Sequence, residues 1–209
     1  MKYATWSFIA LMLFAPAAAH LDARDLGAGG SIAGTSLHVS DASIAVSCPL
    51  TVGGGFEAKT NALKGELVLD PGQTGAVLGE LTVDLRTLQT GIGLRDTHMR
   101  EKYLEVQRGE DFASATLDQI RLEGLDQQNP AGMAKFSAVL MLHGTERPVT
   151  GTAKIRRTDQ GLAVQATFPV KVSSFDIASP TYLGVGVRDD ISIAVNFKLG
   201  PKRQLAASR

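Results

Sequence analysis

From residue 36 onward, apolar and polar residues alternate with a period of two. Leu63, Leu67 and Leu69 fall on one side of a segment whose other side carries Lys64, Glu66 and Asp70. Val77, Leu81, Val83 and Leu85 share a side, and Phe136, Ala138, Leu140 and Leu142 are set against Lys135, Ser137 and His143. Val149, Ala153 and Ile155 alternate with Thr150, Thr152, Lys154 and Arg156. The clearest stretches place Leu162, Val164, Ala166, Phe168 and Val170 against Gln165, Thr167 and Lys171, and Ile191, Ile193, Val195, Phe197 and Leu199 against Ser192, Asn196 and Lys198. Weaker candidates cover 37–48, 54–60 and 115–123. An extended chain turns its side chain to the other face at every residue, so eight or nine such segments predict half-buried β-strands.

Turn chemistry between them agrees. Asp70-Pro71-Gly72, His143-Gly144-Thr145 and Asp159-Gln160-Gly161 separate strands closely enough for antiparallel hairpins. Pro169 removes a ladder donor, which places it at an edge or a bulge. Strands do not alternate with long helices, so a parallel α/β sheet is excluded as the expectation. Arg95–Val106 is the exception, predicted as one short helix with Asp96 or Thr97 capping its start and Leu94, Met99 and Tyr103 on an apolar side. The predicted class is all-β, an extended eight-stranded antiparallel barrel with one short helix. A closed sheet of that size is either filled by its own side chains or holds one small ligand. Modest inward side chains, many glycines and only eight Phe favour a cavity; a solid core or a β-sandwich fits the alternation nearly as well.

The N-terminal residues change the picture of where the barrel works. Lys2, the apolar run Trp6–Ala15 and the small residues Ala17, Ala18 and Ala19 read as a signal peptide over 1–19, cleaved before His20. A membrane anchor is the alternative, but the run is short for a bilayer. Residues 20–35, with four glycines, read as a flexible lead-in; 36–199 as the barrel domain; 200–209 as a C-terminal tail. The expected location is periplasmic. Lys plus Arg and Asp plus Glu are both 21; removing Lys2 with the leader leaves 20 against 21, a charge of −1. Such a balance does not steer nucleic acid, and no nucleic-acid partner is expected. Cys48 is the single cysteine, so no internal disulfide forms, and its strand-like neighbours make it a small apolar residue of the interior.

Motifs for catalysis are missing. There is no H-E-x-x-H, paired C-x-x-C, G-x-S-x-G elbow or phosphate-binding loop, so neither metal nor cofactor is expected. Gly53-Gly54-Gly55 reads as a tight bend in preference to an anion cradle. The densest polar cluster is Arg95 to Tyr103. On a helix, His98 and Lys102 share a face and Arg95 lies one turn earlier, a cationic side suited to a carboxylate or phosphate head group. A solvated face with local ion pairs is the plainer reading.

These residues also resemble a known family. Leu63-Lys64-Gly65-Glu66-Leu67-Val68-Leu69-Asp70-Pro71, Thr90-Gly91 with Arg95-Asp96-x-His98-Met99-Arg100 and Tyr103-Leu104-Glu105-Val106, then Leu142-His143-Gly144 with Arg147-Pro148-Val149, and finally Tyr182 to Asp189, follow in order. Over roughly 36–199 the chain is similar to the YceI-like family of exported, lipocalin-like, polyisoprenoid-binding proteins. It departs at Gln107-Arg108-Gly109-Glu110-Asp111-Phe112, where the family pattern has Tyr-Pro. The resemblance implies a barrel holding an isoprenoid or other long-chain lipid and no catalytic residues. Alternation then nominates Phe56, Leu67, Val83, Leu140, Leu142, Phe168, Ile193 and Val195 as inward, ligand-facing positions, with Met99 and Tyr103 over one mouth and Arg95 and His98 near the head group. Rival readings are a lipid-modifying enzyme using His98 or His143 with Asp96, and a solid-core partner of a membrane redox protein. A membrane protein partner and a homodimer stay open.

Overall fold

A computed structural model describes residues 33–126, 129–182 and 185–201. The leader, nearly all of the lead-in and residues 202–209 lie outside the described residues, as does the side chain of Tyr182.

The barrel strands are β1 (Ser36–Pro49), β2 (Gly55–Thr60), β3 (Leu63–Leu69), β4 (Val77–Asp84), β5 (Ser114–Glu123), β6 (Gly132–Leu142), β7 (Thr145–Thr158), β8 (Gly161–Lys171) and, past a small hairpin of β9 (Thr181–Tyr182) and β10 (Val185–Gly186), β11 (Asp190–Gly200). Every pairing is antiparallel, in the order β11-β8-β7-β6-β5-β4-β3-β1-β2, and β11 also pairs β1, which closes the sheet. β2 and β3 are one interrupted strand, since Ile44↔Thr60 and Leu37↔Leu67 belong to a single register against β1. The barrel is therefore eight-stranded, as the alternation predicts. Closure leaves no long unpaired edge and gives every strand an inside and an outside.

The inward positions are those the periodicity selects. Leu63, Leu67 and Leu69 are buried on β3, as are Phe136, Ala138, Leu140 and Leu142 on β6, and Leu162, Val164, Phe168 and Val170 on β8. The three predicted turns join β3–β4, β6–β7 and β7–β8. Pro169 lies beyond the last β7–β8 pair, Thr152↔Thr167, so its missing N–H faces no ladder on that side. β8 itself is an interior strand. Between β3 and β4 the backbones approach so closely that a Cβ on Gly79 would lie 2.0 Å from the Glu66 carbonyl, and Gly79 has a φ of +100°. Only glycine fits there.

Successive strands run in opposite directions between two ends of the barrel. β4 leaves at one end and β5 enters at the same end, so residues 85–113 must cross that mouth. The short helix expected over 95–106 is present over 93–103, and further short turns follow it. An α-helix, α1 (Gly93–His98), runs into a π-helical turn (Met99–Tyr103); a 3-10 turn (Val106–Arg108) and a second short helix, α2 (Glu110–Ala113), follow. Glu105, in the left-handed region at φ 49°, breaks the path between them. Neither Asp96 nor Thr97 caps the start. Ile92 occupies the N-cap without a side-chain bond, and Asp96 is a buried residue inside α1.

Candidate ligand-binding cavity

The half of the barrel beneath the crossing is hollow. A cavity of about 920 Å³ opens there, lined by residues of β1, β2, β3, β4, β5, β6, β8 and β11, by residues of the crossing between 85 and 104, and by Val172, Ile177, Pro180 and Val187 from the connection between β8 and β11. Its walls are Leu, Ile, Val, Ala and Phe almost throughout, a size and polarity typical of small-molecule sites. The opposite half is more closely packed: a void of about 100 Å³ lies beside Leu67, Leu69, Phe136, Ile155 and Phe197.

Eleven of the twelve residues nominated from the sequence line the large cavity: Phe56, Val83, Arg95, His98, Met99, Tyr103, Leu140, Leu142, Phe168, Ile193 and Val195. Leu67 does not. It points inward as expected but borders the small void at the closed end, because alternation reports the face of a strand and not the depth along the barrel. The sequence reading did not nominate Val46, Leu104 or Ile177, and it placed Cys48 in the interior without assigning it to the site; all four line the cavity. Val46 and Cys48 alternate on β1 and were accessible to the same argument; Ile177, in a loop, carries no such signal.

The cationic side forms on the helical run before Glu105. Arg95, His98 and Lys102 all line the mouth, and no carboxylate lines the cavity among the described residues. Arg95 stacks 4.1 Å above the Phe56 ring and donates from Nε and Nη2 to Thr90, which fixes the guanidinium against the wall. Leu94, expected on the apolar side with Met99 and Tyr103, is 69% exposed at the rim. Cys48 sits below, its thiol pushed up to about 11 by burial, with Arg95 acting in the opposite direction. It remains a neutral thiol near neutral pH, in keeping with a wall residue and not a nucleophile.

The acid–base pairing of the enzymatic rival is not assembled. Asp96 accepts from the Thr90 amide and hydroxyl and meets neither His98 nor His143. His143, buried in the β6–β7 turn, directs Nδ1 at the Phe175 carbonyl (3.0 Å) and Nε2 at Glu105 (3.1 Å), tying the crossing to the barrel. The segment Gln107–Phe112, where the family pattern is lost, packs against that hairpin: Phe112 is edge-on to His143 and Arg108 lies over Phe112. None of its residues lines the cavity. Among the described residues no three His, Cys, Asp or Glu side chains gather as metal ligands would.

The crossing is held largely by carboxylates. Hydrogen bonds from Arg86 lower the pKa of Asp84, those from Thr90 lower that of Asp96, and Arg108, with His143, lowers that of Glu105. A depressed native pKa stabilises the fold fully above the ordinary value, 3.8 for Asp and 4.5 for Glu, and the contribution disappears as pH falls through the native value. The crossing is therefore expected to loosen below about pH 4.5 before the apolar barrel unfolds. Amide hydrogen exchange between pH 6 and 3 checks this; equal protection of 85–113 at both ends of the range contradicts it.

Comparison with known proteins matches this architecture. The model of the YceI-like domain covers residues 36–199. The chain belongs to the YceI-like family. Solved structures share its fold: a polyisoprenoid binding domain from Saccharophagus degradans implicated in plant cell wall breakdown (17% identity, 80% of this chain and 98% of that one, TM-score 0.60), BcnA from Burkholderia cenocepacia (15%, 74% and 94%, 0.58) and the YceI protein of Campylobacter jejuni (15%, 72% and 87%, 0.54). No curated protein matches the chain. At these identities the likeness is one of fold, the lipocalin-like barrel expected from the sequence.

Proposed function

We propose that this YceI-like protein is a periplasmic carrier that holds a long-chain lipid, such as a polyisoprenoid, in the hollow half of its barrel. The supporting observation is the continuous apolar cavity of about 920 Å³ under the crossing. A buried methylene is worth about 0.8 kcal/mol, so a dozen carbons offset the entropy of association without help from a head group. Binding is by area, and catalysis has no part in it. Membership of a family with a polyisoprenoid-binding member of the same fold points the same way. The leader over 1–19 is the ground for the periplasmic location.

The orientation that the mouth's charge favours is tail inside, polar head beside Arg95, His98 and Lys102. An anionic head suits three cationic or protonatable donors without a facing carboxylate. Lys102→Ala is expected to weaken a fatty acid roughly two- to fivefold, the range of one exposed ionic contact, and to leave the alcohol of equal length unaffected. Added salt should shrink the difference. Equal losses for acid and alcohol would refute the orientation.

The direct test is to purify the protein from the periplasmic fraction, extract it with organic solvent and analyse the extract by mass spectrometry. A stoichiometric long-chain lipid is expected. Protein that is empty, and that also takes up no added polyprenol, overturns the proposal; recovery in the cytoplasm alone overturns the location.

A further inference from the structure

The interior is two compartments stacked along the barrel axis, and what separates them is specific. Four described residues line both the large cavity and the small void: Leu81, Leu117, Phe168 and Val195, contributed by β4, β5, β8 and β11. They mark one level in the barrel. Phe168 is the aromatic among them, 5% exposed. Its ring meets Phe136 edge to face, with centroids 5.7 Å apart and planes at 84°. Phe136 borders the lower void and does not reach the large cavity.

The pair is admitted by a missing side chain on the strand between them. Gly151 of β7 stands opposite Phe136 in register. A Cβ there would lie 2.7 Å from Phe136 Cε1, 2.7 Å from Phe168 Cβ and 2.4 Å from the Thr167 carbonyl. Its backbone is not left-handed, so conformational freedom does not require glycine at this place. Space does. Three neighbouring strands thus cooperate to bring two aromatic rings together on one wall of the bore.

We infer that the Phe168 ring, seated on Phe136 in the Gly151 notch, is the floor that sets how long an apolar tail this barrel accepts. The inference rests on the carrier reading and adds its length selectivity. A tail gains affinity with each methylene that leaves water, roughly fourfold per carbon, until its end meets the ring. Further carbons then stay at the mouth and gain little. The floor is thin: behind it lies the apolar void of about 100 Å³, which joins the cavity once the ring is removed.

The test uses the full-length protein, stripped of bound lipid, with a homologous series of straight-chain fatty acids displacing a fluorescent probe. For wild type, affinity should climb with length and then level. Phe168→Leu and Phe168→Ala should move the levelling point to longer chains. Val195→Phe, which adds a ring at the same depth without opening the core, should move it to shorter ones. Circular dichroism confirms that each variant is folded, and Val195→Phe keeps the test intact if Phe168→Ala is not. Folded Phe168→Leu and Val195→Phe that level at the wild-type length overturn the floor and leave the carrier reading standing. Wild-type protein that binds no fatty acid or polyprenol of any length overturns both.

Discussion

Val83→Asp is expected to weaken lipid uptake by at least about a hundredfold while the protein stays folded. Val83 is half-buried on β4, and its side chain lines the large cavity between Leu63 and Ala115, its partners on β3 and β5. In the empty protein the mouth admits water, and a carboxylate there keeps its hydration. An incoming hydrocarbon must remove that water, and dehydrating one ion without a partner costs several kcal/mol; each 1.4 kcal/mol is a factor of ten. Its cross-strand neighbours, Leu63 and Ala115, are apolar and offer no compensating charge. Val83→Thr, nearly the same shape with one hydroxyl, should cost far less. Lipid titrations of the two variants beside their melting curves decide the matter. Full affinity in folded Val83→Asp would mean that the lipid lies elsewhere.

The second large effect belongs to the closed half. Phe136→Ala should destabilise the fold by about 3–5 kcal/mol, the usual cost of removing a packed aromatic ring. Phe136 is 6% exposed, and the atoms around it are already close-packed except for the small void that the truncation would enlarge. Ile193→Ala, on β11, should cost about 1–2 kcal/mol, because its side chain already borders open space and its loss creates no new enclosed cavity. Denaturant unfolding measures both. Equal costs would contradict a barrel packed at one end and hollow at the other.

That asymmetry marks the limit of what alternation conveys. Leu63 and Leu67 occupy one strand, one face and one residue type, yet Leu63 borders the large cavity and Leu67 the small void. Their difference is depth, and depth acquires meaning only when other strands supply a floor. The solid-core reading and the hollow reading of the same sequence are each true of half the barrel. The crossing shows a second limit. Arg95, His98 and Lys102 read correctly as a common cationic face, because residues three and four apart stay neighbours across one irregular turn. The helix's end and its cap did not follow. Asp96 finds Thr90 six residues earlier, and Glu105 finds His143, 38 residues away, so the path bends to meet partners outside itself.

The amino-acid order by itself determined the strand faces, the hairpin turns and the closed antiparallel barrel, because a period of two and turn-forming residues act over a few neighbours. Family membership was legible for the same reason, in short motifs kept in sequence. Tertiary structure alone decided where the interior is empty. Phe136, Gly151 and Phe168 sit on three strands, unremarkable in their own segments, and become a floor only when strand pairing sets a ring, a notch and a ring side by side. Volume left unfilled depends on how side chains from distant parts of the chain meet, and no local pattern records that meeting.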